Sequence, residues 1–567
     1  MAFFDNAKTL AEYVHLCLDR HLRHTFLAEI DGRALTYAQT REQIVEIWAL
    51  FRRAGIQRGD KVALLGLNSI NWALVYLGAV TYGAVVVPIL PDFQPAAIHN
   101  IVDLSEAKAL FVSSNMIEKV EGIKAPKLER SFLLEDFHPL DLRAVPEFMK
   151  KIRVQVDLLR ERASGFFGGR GASLRRRPEP PKPDDVAALV YTSGTTGHSK
   201  GVMLTQGNIV ADLISAVRYV EVSPNDRFLS LLPLAHTYEC TCGFLGPMSA
   251  GCSVYHLKGK PSPSVLLPAF RKVKPTMVFA VPLVIEKIYR KQVLARIESS
   301  AVLKAATKLP PVRRMVYRRA VRKLLEAFGG SLRQMGFGGA AIPPEVERFM
   351  IEGRFPYFVG YGMTECSPLI TGCEVWRTRA GSCGRPMDCV EVRIANPGAR
   401  TGVGEVQVKG PIVTPGYYKN AEATAALFTP DGWLATGDLG KLDADNYLYL
   451  IGRSKNVILG PSGENIYPEE IEHLFNQHPT VVESVVVERG GRLTALIHPD
   501  YEILTSELQL QAVPETGRRA RIEKYFEGLL REVNAQVPGY SRVVGVTLVE
   551  EEFEKTPTNK IKRYLYA

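Results

Sequence analysis

Thirty consecutive residues, Val62 to Pro91, carry no charge. A run of that kind is either a membrane-spanning helix or a buried βαβ unit whose sheet is covered on both faces. Asn68, Ser69 and Asn71 interrupt it early, Gly78 and Gly83 follow, and Pro88 closes it. A strand over 61–66, a buried helix over 70–82 and a strand over 84–89 explain these interruptions, whereas a span does not. The expected class is therefore α/β, because a sheet buried on both faces needs further strands and helices to cover it.

The remaining chain supplies them. Residues 1–60 read as two amphipathic helices flanking a hairpin around Ile30-Asp31-Gly32-Arg33, and apolar runs at 109–112, 131–134, 228–232, 253–257 and 276–280 read as strands. A strand near 332–337 runs into the small-residue turn Gly338-Gly339-Ala340-Ala341, with Pro343-Pro344 opening a helix. From 381 to 450 the pattern switches to period two, which predicts a small β-barrel. Beyond Arg453 a compact α+β piece with a helix over 468–476 is expected. Between 145 and 185 the alternation breaks into a basic helix over 148–163, a glycine-rich run and a proline-rich run, read as an exposed, mobile insertion or linker. At 567 residues the chain exceeds one core. Domains are expected at 1–453 and 454–567.

The net charge is +10, and it is concentrated: eight Lys/Arg and no acid lie between Lys304 and Lys323. Such a surface suits a polyanionic substrate or an anionic membrane. No zinc-finger or RNP-type signature accompanies it, so nucleic acid is not expected. Val316, Ala320, Leu324 and Phe328 recur at spacing four, which predicts a basic helix that either packs as a surface helix on the α/β core, the commoner case, or rests on anionic lipid. Eight cysteines without paired spacing argue against zinc or a disulfide framework. With no basic, apolar leader at Met1–Lys8, they point to the cytoplasm, at most peripheral to the inner face of the membrane. Oligomerisation is left open.

Chemistry is densest at Tyr191-Thr192-Ser193-Gly194-Thr195-Thr196-Gly197-His198-Ser199-Lys200-Gly201. Glycines let backbone N–H groups converge, hydroxyls add uncharged donors, and Lys200 is a mobile point charge, a combination suited to wrapping a polyphosphate. The P-loop pattern is not met, since Ser199 precedes Lys200 and Gly201 follows it. The stretch resembles the signature loop of the adenylate-forming superfamily of acyl-CoA synthetases, adenylation domains and luciferases, with Ser199 where that family usually has Pro.

Six further stretches resemble the same superfamily in order. The implied fold is a large N-terminal domain of two α/β subdomains plus a small β-barrel, with a small mobile α+β C-terminal lid domain. The resemblance implies that Thr192, Ser193, Gly194, Thr195, Thr196, Gly197 and Lys200 hold ATP phosphates. It places His236 beside the acyl carboxylate and α-phosphate, and Gly339 and Ala340 beside adenine. Tyr361 and Gly362 belong to the ATP site, with Tyr361 stacking on adenine. Thr364 reaches phosphate, Glu365 and Thr192 bind Mg2+, and Asp438 and Arg453 meet the ribose. Lys455 matches the hinge, Gly463 the loop of the CoA step, and Lys560 the catalytic lysine. ATP, Mg2+ and CoA are the implied co-substrates and cofactor. Residues 237–251 contain Glu239 but no Asp, which favours a hydrocarbon acid over an amino acid. The 460–468 loop looks most like that of long-chain fatty acyl-CoA synthetases. Transfer to a carrier-protein thiol and a non-catalytic lipid- or nucleotide-binding role are the alternatives.

Overall fold

The computed structural model describes residues 3–142, 176–192, 199–257, 263–459, 465–556 and 561–566. The uncharged run lies at the centre of a six-stranded sheet. Strands Lys61–Leu65 and Val85–Ile89 pair in parallel, and helix Ile70–Tyr82 crosses between them, fully buried along most of its length. Ser69 caps that helix by accepting the Trp72 N–H, and Gly83 ends it at φ 86°. No helix among the described residues is long and apolar enough to cross a membrane. The sheet runs Arg130–Leu133, Ala107–Val112, Lys61–Leu65, Val85–Ile89, Val186–Thr192, Lys200–Thr205, all parallel except the last pair.

A second sheet has seven strands, in the order Tyr357–Val359, Gln334–Phe337, Met277–Ala280, Arg227–Ser230, Ser253–His256, Thr25–Glu29, Ala34–Thr36. The predicted N-terminal hairpin is its edge, turning at Asp31 with φ 61°. Alternation along these strands divides the core. Phe228, Met277, Phe279 and Phe358 point toward the cluster shared with the first sheet. Leu229, Val278, Ala280, Met335 and Phe337 point into a helical layer that includes Pro263–Val273, Pro310–Ala327 and Pro344–Gly353.

The basic helix Pro310–Ala327 corrects one expectation. Its buried stripe is Tyr317, Val321 and Leu324, continued by Phe328, and it packs into that layer with Val316 and Ala320 at its margin. The apolar face is covered by protein and is not available to lipid.

The period-two region forms an antiparallel sheet of Glu391–Ala395, Gly404–Lys409, Leu434–Leu442 and Leu448–Arg453. A three-stranded sheet, Tyr361–Gly362, Leu369–Gly372 and Arg385–Pro386, joins it where the Cys383 N–H donates to Leu448 O and the Leu448 N–H to Gly384 O. Beyond it, helices Pro468–Asn476 and Glu515–Asn534 pack on strands Val481–Arg489, Arg492–Pro499 and Gly545–Leu548 around a separate core of Phe475, Val486, Ile497, Phe526 and Val533. The helix expected over 148–163 lies outside the described residues. The described end of that segment makes contacts with the fold: Arg58 pairs with Asp185 and donates to Pro180 O, and the Gly207 N–H donates to Pro183 O.

Candidate active site

The glycine- and hydroxyl-rich stretch is flanked by two paired strands. Strand Val186–Thr192 pairs antiparallel with Lys200–Thr205, Thr192 opposite Lys200. A helix begins at Gln206, where Thr205 and Asn208 form a capping box. Ser193, Gly194, Thr195, Thr196 and Gly197 lie outside the described residues. Gly201 must be small, because a Cβ there would sit 3.0 Å from both Leu189 and Tyr191.

Segment Thr414–Tyr418 runs beside this strand pair. The Met203 N–H donates to Gly416 O at 3.1 Å and the Tyr418 N–H to Gly201 O at 2.8 Å. This brings the Tyr417 ring to 5.1 Å from Lys200 Nζ, while its hydroxyl donates to Glu365 Oε1 at 2.8 Å. Tyr417 therefore links the expected phosphate lysine to the expected metal carboxylate. Sequence reading missed it; the only signal was an aromatic pair in the turn Pro415-Gly416-Tyr417-Tyr418. Glu365 lies in the short turn Thr364–Cys366, and its backbone oxygen accepts the Thr414 N–H.

Tyr361, Asp438 and Arg453 form a second group. Asp438 and Arg453 face each other across paired strands. Asp438 Oδ1 meets Arg453 Nε at 2.9 Å, and Oδ2 accepts from the Tyr361 hydroxyl at 2.7 Å. Burial, reinforced by Asp438, raises the Tyr361 phenol well above its ordinary range, so it stays a neutral donor. Asp438 was expected to offer two open oxygens; each is already engaged, with further lone pairs left for an incoming hydroxyl. Gly362 is obligatory, since a Cβ would fall 1.8 Å from Pro368 O.

The third group follows the carboxyl ends of neighbouring parallel strands, where open α/β sheets place their ligands. His236 comes after Arg227–Ser230, Gly339 and Ala340 after Gln334–Phe337, and Tyr361 after Tyr357–Val359. Asn68, read in the sequence only as an interruption of the uncharged run, fixes the loop before His236. Its Nδ2 donates to Leu232 O at 2.7 Å and Ser230 Oγ at 3.0 Å, and its Oδ1 accepts the Leu234 N–H at 2.8 Å. The Tyr238 N–H donates to His236 Nδ1 at 3.2 Å, which leaves the proton of the neutral ring on Nε2. Glu239 is buried behind this loop, its carboxyl pushed up to about 8 by desolvation, partly offset by hydrogen bonds to Ser230 and Leu232. Gly243 leaves room for it, since a Cβ there would lie 2.5 Å from Oε1.

Beside the Tyr238 ring lies a cavity of about 630 Å³. Val217, Phe279, Phe337, Phe358, Leu369 and Met387 dominate its wall, and no charged residue lines it. A family profile described as AMP-binding enzyme matches residues 16–418. The chain belongs to that family.

Among relatives of this AMP-binding enzyme, Homo sapiens long-chain-fatty-acid–CoA ligase 1 is 29% identical over 574 residues, covering 92% of this chain and 80% of that one. The Arabidopsis thaliana peroxisomal long chain acyl-CoA synthetase 7 is 28% identical over 574 residues, covering 93% and 79%. ATP-bound MatB from Rhodopseudomonas palustris shares the fold with a TM-score of 0.74 at 22% identity over 98% of each chain. So does the adenylation domain of a Mycobacterium chelonae carboxylate reductase, with a TM-score of 0.76 at 22% identity over 99% of this chain and 89% of that one.

In this AMP-binding enzyme Lys455 is exposed in the turn Ser454–Asn456, which Ser454 and Asn456 anchor to Gly437 O at 3.1 Å and Glu469 Oε1 at 2.5 Å. Gly463 and Lys560 lie outside the described residues. The flanks of the Lys560 loop are nonetheless well fixed. Lys555 bridges to Ile561 and pairs with Glu483 at 2.6 Å, Lys562 pairs with Glu554 at 3.0 Å, and Arg563 pairs with buried Glu472. Burial pushes the Glu472 carboxyl up to about 7, against the pull of Arg563. Arg290 reaches across to the end of helix Pro468–Asn476, donating to Asn476 O at 3.0 Å.

Proposed function

We propose that this enzyme uses ATP to convert a medium- or long-chain fatty acid to acyl-AMP and pyrophosphate, then transfers the acyl group to CoA with release of AMP. The observation that carries this reading is the cavity beside Tyr238, whose lining is apolar and holds no charged residue among the described residues. It suits a hydrocarbon chain and offers nothing to an ammonium group. The names of the relatives support the same substrate class.

In the first step the acid's carboxylate attacks the α-phosphorus, and its bond to the pyrophosphate oxygen breaks. Both reactants are anions, so the enzyme must supply positive charge and orientation, not a base. Lys200 and the 193–197 loop hold the phosphates, and Lys560 approaches the reacting centre. His236, with its proton on Nε2, serves as a hydrogen-bond donor, Thr364 reaches phosphate, and Asn68 keeps the His236 loop in place. Glu365 and Thr192 offer hard oxygen ligands suited to Mg2+, with Tyr417 orienting Glu365. When bound, Mg2+ neutralises phosphate charge. Tyr361, Asp438 and Arg453 receive the nucleoside, against the turn at Gly339 and Ala340.

For the second step we place the boundary between 1–453 and 454–567 at Lys455. Rotation there withdraws Lys560 and brings Gly463 toward CoA, a hinge motion. All eight cysteines are free, which fits a reducing cytoplasm. Pyrophosphate release across a panel of carboxylic acids, with and without CoA, tests the proposal. Aliphatic acids should release it, and acyl-CoA should form only when CoA is present. Release confined to amino acids or short polar acids overturns the substrate class, and transfer to a carrier-protein thiol but not to CoA overturns the acceptor.

A further inference from the structure

Helix Pro310–Ala327 is two-sided, and the side turned away from the core is unusual. On the side away from the buried Tyr317, Val321 and Leu324 it exposes Met315, Arg318, Arg319, Arg322 and Lys323, and Arg314 is exposed one turn before Tyr317. Met315 is 53% exposed. Arg318, Arg319 and Arg322 follow it at three, four and seven positions, on the same face of the helix. Just before this helix Leu309 is 60% exposed, and Val302 of the short helix Ala301–Ala306 is 79% exposed. Of the eight Lys/Arg between Lys304 and Lys323, Arg313 pairs with Glu352 at 2.7 Å. None of the other seven is in an ion pair among the described residues.

We propose that this face docks the enzyme on an anionic lipid surface. The uncompensated positive charges repel one another, and an anionic bilayer relieves that repulsion within about one Debye length, roughly 8 Å at physiological ionic strength. The exposed apolar residues decide between polyanions. A nucleic-acid backbone has no use for Val302, Leu309 and Met315 among the bases, whereas the boundary between headgroups and acyl chains accepts both kinds of side chain. The docking residues differ from the stripe that sequence periodicity pointed to, because that stripe is inside the protein. Docking would place the enzyme where sparingly soluble acids partition, but it rests on charge and exposure and stands whatever the acid proves to be.

Co-sedimentation of the full chain with vesicles tests it, comparing phosphatidylcholine alone with phosphatidylcholine plus phosphatidylglycerol. Binding should require the anionic lipid and weaken as salt rises. The combined variant Arg314→Gln, Arg318→Gln, Arg319→Gln, Arg322→Gln should bind at least about a hundredfold more weakly. The variant Val302→Ser, Leu309→Ser, Met315→Ser should bind more weakly yet keep its salt dependence. Circular dichroism, and turnover of a medium-chain acid dissolved without vesicles, should match the parent in both variants. Absence of that turnover in the parent itself would instead count against the proposed reaction. Equal binding to neutral vesicles, no binding to either, or unchanged binding by the arginine variant overturns the proposal. So does displacement by duplex DNA together with no effect of the serine variant, which would mark the face as a nucleic-acid surface.

Discussion

The two ends of the site hold their acids in opposite ways. At the nucleotide end Asp438 lies between Arg453 and the Tyr361 hydroxyl, and Glu365 accepts from Tyr417, whose ring also carries Lys200. At the acyl end Glu239 is buried with no cation beside it, and Oε2 has no partner among the described residues. The nucleotide end keeps charges in use and steers them. The acyl end buries two acids, Glu239 and Asp212, and desolvation raises both carboxyls, which favours their neutral forms next to an apolar chain. Charge placement, more than shape alone, separates the half that handles phosphate from the half that handles hydrocarbon.

The sharpest break of this contrast is at the charged end. Lys560→Ala should slow acyl-AMP formation by about 2.7–4 kcal/mol, the scale of one lost transition-state donor, while thiolysis of preformed acyl-AMP is largely spared. Equal loss in both half-reactions would show that Lys560 does not leave the centre between steps. Asp438→Ala comes next: it should raise the KM for ATP by about tenfold to a hundredfold with little change in kcat, since the ribose is held alike in ground and transition states. An unchanged KM for ATP would move the ribose away from this acid.

At the silent end the prediction concerns pH. Glu239 has a folded pKa of about 8, raised by burial. An acid shifted upward keeps its proton in the native state while the unfolded chain has lost it. Its stabilising effect is full below the ordinary Glu range and declines as pH rises to about 8. Glu239→Gln removes this titration. Urea unfolding should show the variant gaining on the parent, by up to about 5 kcal/mol, as pH climbs from acid to 8. Parallel pH profiles would mean that Glu239 is ionised in the fold, and the contrast between the two ends would fail.

How much of this was legible beforehand follows the range of the interactions. Helices Ile70–Tyr82 and Pro468–Asn476 match their expected bounds because local signals fix them: Ser69 and Gly83 for the first, Pro468 for the second. The sequence also named residues from all three site groups. It missed Tyr417 and the anchoring role of Asn68, since the partners of both lie far away in the chain, as in the contact of Asn68 with Leu234 across 166 positions. The return strand Lys200–Thr205 was missed for a related reason. Its pairing with Val186–Thr192 is a tertiary fact, and the short apolar run Val202-Met203-Leu204 reads equally as strand or helix start. The basic helix was found but its buried side was misjudged by one position, which decides what the arginines surround.

Tyr417 gives a smaller and more selective test of the charged end. Tyr417→Phe keeps the ring under Lys200 and removes the hydrogen bond to Glu365. It should cost about 1 kcal/mol and raise the Mg2+ concentration needed for half-maximal ATP binding, measured by calorimetry, at unchanged affinity for metal-free nucleotide. Tyr417→Leu removes both contacts and should weaken metal-free binding as well. If the two variants behaved alike, Tyr417 would be a packing residue and the link between Lys200 and Glu365 would carry no function.

The smallest expected effect sharpens the apolar end. Gly246 lines the cavity at φ −57°, ψ −46°, a conformation that alanine adopts freely. A Cβ there would lie 3.2 Å from Thr241 O and 3.8 Å from a methyl of Val217, so one added methyl takes up cavity space once the Thr241 carbonyl gives by a few tenths of an ångström. Gly246→Ala should therefore shorten the longest well-accepted chain by about one methylene. A buried methylene is worth about 0.8 kcal/mol, so kcat/KM for the longest acid should fall by roughly fourfold while shorter acids are unaffected. The loss should rise stepwise along a series of saturated acids and leave the KM for ATP alone. A uniform loss across all chain lengths would mean that the methyl disturbs the turn before Gly251 and does not meet the chain, and the cavity would then lose its standing as the hydrocarbon half of the site.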